Sequence, residues 1–122
     1  MLYALKGAST MTREQYPMVS SRRIAGLSIQ ESNKISQIIE KVTRMTIKKT
    51  YPKEYVIMSC QDRSLCNNVE NTVISFSINE EVVHTIDFEI LRNKDGIITS
   101  IKAYQDDDEI AKKIAKIVLK SI

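Results

Sequence analysis

Residues 72–104 read TVISFSINEEVVHTIDFEILRNKDGIITSIKAY, and their pattern decides the fold. Ile74, Phe76 and Ile78 are apolar at every second position, with Ser75 and Ser77 between them. Val82, His84, Ile86, Phe88 and Ile90 repeat the alternation against Thr85, Asp87 and Glu89. Period-two alternation marks a strand with one buried face, and β-branched and aromatic residues favour that surface. Asn79-Glu80-Glu81 is a short polar break that joins the two runs as a hairpin. Asn93-Lys94-Asp95-Gly96 supplies the next turn, because Asp-Gly tolerates the positive φ of tight hairpins. Residues 97–104 then form a third strand, and the three make an antiparallel meander.

A fourth strand is expected just before them. Residues 54–60, EYVIMSC, are apolar on both faces, which places this strand inside the sheet or under a second layer. Residues 61–71 are polar and read as a long loop, a common place for function.

Helices flank the strands. Ser28-Ile29-Gln30-Glu31 has capping-box spacing, so a helix is expected from there to about Lys49, ended by Tyr51-Pro52. Ile35, Ile38, Ile39, Val42, Met45 and Thr46 lie on one stripe of it. Asp106-Asp107-Asp108-Glu109 opens a C-terminal helix whose lysines gather towards its end, matching the helix dipole. Ile110, Ile114, Ile117 and Val118 form its core stripe.

Residues 1–27 read as an N-terminal arm, partly irregular. Leu2-Tyr3-Ala4-Leu5 has the makings of a short edge strand, Gly7-Ala8-Ser9-Thr10 of a break, and Thr12-Arg13-Glu14-Gln15 of a weak capping box cut short by Tyr16-Pro17. Residues 28–122 form a single α+β domain: a four-stranded antiparallel sheet between an N-terminal and a C-terminal helix, in the order α-β-β-β-β-α.

Composition narrows the function classes. The chain has 122 residues, enough for one core without disulfides or metal. No apolar run approaches the ~18 residues of a membrane span. Two cysteines do not make a disulfide scaffold, there is no Asn-x-Ser/Thr sequon, and the first residues lack a signal-peptide pattern. The expected setting is cytoplasmic and reducing. The net charge of +3 divides into +7 over residues 1–53 and −4 over residues 54–122.

Candidate chemistry is sparse. Cys60, Cys66 and His84 are the soft metal ligands, one short of a zinc set and without a Cys-x-x-Cys pair. His84 lies on the apolar face of its strand, where a lone histidine is ordinarily a core residue with one hydrogen bond. A nucleophile–base pairing with Cys66 has nothing local to support it. Asp106, Asp107 and Asp108 read as a helix cap before a magnesium site. Gly7, Gly26 and Gly96 are isolated, so there is no phosphate-binding loop. No catalytic residue, metal or cofactor is assigned.

Two binding surfaces stand out. Val56, Met58, Val73, Val83, Ile98 and Tyr104 are expected on the sheet face away from the helices, and such an apolar patch marks an interface. Lys34, Lys41, Arg44 and Lys48 share one stripe of the first helix, and Arg22 and Arg23 add to a basic region that suits phosphates. Asp87 and Glu89 on the outer sheet face, and the lack of an aromatic stacking ladder, count against nucleic acid. The expected function is a small non-enzymatic interaction module that self-associates or docks a protein partner through its outer sheet face or an edge strand. Nucleic-acid binding through the basic stripe ranks second, a small enzyme with a cavity between sheet and helix third, and no membrane partner is expected.

Overall fold

The computed structural model describes residues 18–22, 27–66, 68–105 and 107–122. Along the chain run β1 (Met18–Arg22), α1 (Ile29–Asn33), α2 (Ile35–Thr50), β2 (Val56–Cys66), β3 (Val69–Ile78), β4 (Val83–Arg92), β5 (Ile98–Gln105) and α3 (Glu109–Ser121). The α+β order expected from the sequence is present, and strands β2 to β5 form the antiparallel meander. Part of the arm adds to it: β1 pairs antiparallel with β5, giving the sheet order β1-β5-β4-β3-β2. The edge strand, break and capping box read in residues 2–15 lie outside the described residues.

The alternation sets the layers. Ile74, Phe76, Ile86, Phe88, Ile90, Ile101 and Ala103 are buried on one face of the sheet. They meet Ile35, Ile39 and Ile47 of α2 and Ala111, Ile114, Ala115 and Val118 of α3. α2 lies against β2 and β3, α3 against β4, β5 and β1, and the two helices pack on each other. The buried stripe of α2 runs through Ile35, Ile39, Thr43, Thr46 and Ile47, so Met45, expected inside, is 60% exposed. Ile117 of α3 is likewise 38% exposed, while Ala111 and Ala115 face the core.

Two turns follow the sequence. Asn79 and Glu80 both take positive φ (56° and 59°), the type I′ pattern, and the Glu81 amide donates to the Ile78 carbonyl. At the next turn Gly96 has φ 81°, and Asn93 Oδ1 accepts from the amides of Asp95 and Ile97.

Three features differ from expectation. The first helix is broken: Ser28 and Glu31 make the capping box, but α1 stops at Asn33 and α2 starts at Ile35. Arg92 explains the break, since its Nη2 donates to the Ser32 carbonyl at 2.8 Å and takes the acceptor a continuous helix would use for its own ladder. Residues 61–71 are not a long loop. Gln61, Asp62 and Arg63 pair with Val73, Thr72 and Asn71, and Asn68 turns the chain at φ 68°. At this end of the sheet Gln61, Asp62 and Arg63 are exposed on β2, while Asn71 and Thr72 opposite them are buried and Asn71 donates from Nδ2 to Asp87. Lastly, of the two placements expected for β2, it lies under the helix layer, packed by α2, and at the sheet's edge rather than inside the sheet.

Candidate functional site

The edge position of β2 changes the meaning of its apolar residues. Register with β3 pairs Val56 with Ile78, Met58 with Phe76 and Cys60 with Ile74, all on the helix side. Ile57 pairs with Ser77, which pairs with Val83, so these three form a row on the outer face. Ile57 is 45% exposed and Val83 66%. Tyr55 and Val82 at the same end of the sheet are exposed too. An apolar cluster therefore stands beside the open edge.

Among the described residues no strand pairs with that edge. The Asn79 amide donates to the Tyr55 carbonyl at 2.7 Å, and the Tyr55 amide donates to Asn79 Oδ1 at 3.0 Å, so Tyr55 turns its polar groups towards β3. Antiparallel ladders alternate, so Ile57, Ser59 and Gln61 also face β3, while Val56, Met58 and Cys60 point their N–H and C=O groups outward. Proteins commonly guard such an edge with charges, bulges or proline. Here Asp62 and Arg63 guard the far half, and the register shifts between Ser64 and Cys66. Residues 56–60 carry none of these devices.

Of the six residues expected on the outer face, Val73, Val83 and Tyr104 lie there, in register with Asp87, Ser77 and Asp87 in turn. Val56, Met58 and Ile98 pack on the helix side instead. A register shift near Leu91 and Arg92 pairs Ile98 with Arg92 and moves it across, which strict alternation could not show. Asp87 and Glu89 do lie on the outer face, but both are buried, and Asp87 accepts from Asn71 Nδ2 at 2.5 Å. The exposed apolar surface of this face is thus concentrated at its Ile57–Val83 end. Tyr55 and Ile57 were missed in the sequence, where the signal was the doubly apolar run 54–60, which reads equally as a central strand; Val82, read with the core-facing alternation of His84 and Ile86, instead precedes β4 and is 69% exposed.

The residues of the basic stripe are divided between the helix break and α2. Lys34 caps α2, and Lys41, Arg44 and Lys48 are exposed along it, with Arg44 held by Glu40 at 3.4 Å. Arg22 is in β1, its side chain outside the description, and Arg23 lies outside the described residues.

The titratable residues have structural partners. His84 is 5% exposed, stacks near Phe76 and hydrogen-bonds Asp108 through Nδ1. Asp108 is the N-cap of α3 and accepts from the Ile110 and Ala111 amides. Burial, then the charges of Glu40 and Asp62, pushes the Cys60 thiol from 9.0 up to about 11. Among the described residues no group of three His, Cys, Asp or Glu side chains could hold a metal, the Cys66 side chain and Asp106 lying outside them.

An open polar cavity of about 570 Å³ lies where the β2–β3 hairpin meets the α1–α2 junction. Its lining includes Asp62, Glu70, Thr72 and Arg92, with no histidine or cysteine. Arg92 is committed to Ser32, Gly96 and Glu70. Among the described residues no helix is long and apolar enough to cross a membrane. Comparison of the chain with protein-family models, with curated proteins and with solved structures finds no match.

Proposed function

We propose that the chain is a small interaction module that self-associates by laying β2 of one copy against β2 of another. The observation that carries this reading is the unguarded edge at residues 56–60 beside the exposed row of Ile57 and Val83. Strand addition satisfies the outward main-chain groups of Val56, Met58 and Cys60, and Ile57 on the edge strand itself adds apolar area at the seam.

The sequence of β2 selects a register. An antiparallel pairing with Met58 on the two-fold axis would set Glu54 opposite Asp62 and Lys53 opposite Arg63, two like-charge pairs. Moving the axis to Ser59 sets Tyr55 opposite Arg63 and Ile57 opposite Gln61, with no like charges opposed. Ser59 then faces its own copy as a non-hydrogen-bonded pair, with Cα atoms ~4.5 Å apart, within reach of a disulfide. Ser59→Cys in a Cys60→Ser/Cys66→Ser background should form a covalent dimer under mild oxidation, and Gln61→Cys in the same background should not. Equal cross-linking at both positions, or none at Ser59→Cys, would remove the proposed pairing.

A further inference from the structure

The helix layer has a surface that self-association through β2 leaves open. α2 and α3 run side by side, and between them lies an open groove of about 780 Å³ floored by Val42, Met45 and Ile117. Met45 and Ile117 are exposed although they sit at the centre of this surface. Lys48 and Lys49 of α2 rim it on one side. On the other, Ile117 continues into a shallower depression lined by Lys113 and Lys116 of α3. Lys112 is engaged with Asp107 and Glu109, and among the described residues Glu109 is the one acidic residue lining either depression. The surface is therefore an apolar furrow between two rows of cationic side chains.

We infer that this groove binds an acidic amphipathic helix of a protein partner. The furrow takes the apolar stripe of such a helix at i, i+3, i+4 and i+7, and the lysine rows take its carboxylates. Charge complementarity fixes the occupant. A second copy presenting the same face would set lysine against lysine. A nucleic-acid backbone would satisfy the lysines but gain nothing from Met45 and Ile117, which the groove places between them. Strand addition has no purchase here, because main-chain groups within helices are already paired.

Fluorescence anisotropy tests this with a short labelled peptide of glutamate and leucine, leucine at i, i+3, i+4 and i+7, against a scrambled peptide of the same composition. The patterned peptide should bind at micromolar concentration, and scrambling or Met45→Glu should each weaken binding by about tenfold or more. Ile57→Lys, which targets β2, should leave it unchanged, so failure of the self-association reading and failure of this one are distinguishable. Equal binding of the two peptides, or no binding at ~1 mM peptide, would overturn the inference. So would duplex DNA or phosphatidylserine vesicles binding more tightly than the patterned peptide and resisting Met45→Glu.

Discussion

Cys60 and His84 illustrate how burial decides what a reactive side chain does. The Cys60 thiol holds its proton to about 11, because it is partly buried and faces Glu40 and Asp62. At pH 8 its thiolate fraction should be about a hundredfold below that of an unshifted thiol. Alkylation of a Cys66→Ser variant should be correspondingly slow and should accelerate on unfolding in urea. The sign of the linked stability follows. The folded thiol binds its proton more tightly than the unfolded one, so this contribution is present below pH 9 and lost as pH rises towards 11. Cys60→Ser should leave melting nearly unchanged at neutral pH. The role of His84 was legible: alternation placed it on the core face, where it makes a side-chain bond to Asp108. That its partner would be the α3 cap was not legible, because they are 24 residues apart and meet only through the fold. Asp108→Ala should cost about 1–2 kcal/mol in denaturant unfolding, since it removes the cap and strands a buried imidazole.

At the scale of elements, local chemistry and long-range contacts had different visibility. The β3–β4 turn was placed correctly, since Asn79 is a turn former, but Glu80 carries the same positive φ at a cost. Glu80→Gly should therefore stabilise the fold by roughly 0.5–1 kcal/mol, read from the urea midpoint. The break between α1 and α2 has no signal in its own residues. It arises because Arg92, 60 residues away, reaches the hydroxyl and carbonyl of Ser32. Arg92→Ala should lower stability by about 2 kcal/mol, because it unpairs Glu70 and the Ser32 carbonyl together. The edge position of β2 was hidden for a related reason. An apolar residue facing a core and one facing a partner look the same in sequence, and only the strand order separates Ile57 from Met58.

For the whole molecule, the split of charge between +7 and −4 halves does not become a split between faces, because lysines of α3 join those of α2 on the helix layer. Exposed cations of α2 line the helix layer, while Asp87 and Glu89 are buried on the opposite sheet face. The two exposed apolar features, the Ile57–Val83 row and the Met45–Ile117 furrow, lie on opposite sides of one sandwich. Association through β2 would leave the furrow free on both copies. Sedimentation equilibrium of the purified chain tests the central claim most directly. A dimer is expected at ~10 μM, with Ile57→Lys giving folded monomer and Val83→Glu, two strands from the seam, leaving the dimer in place. A wild-type chain that remains monomeric at ~100 μM, or a dimer that survives Ile57→Lys, would contradict it.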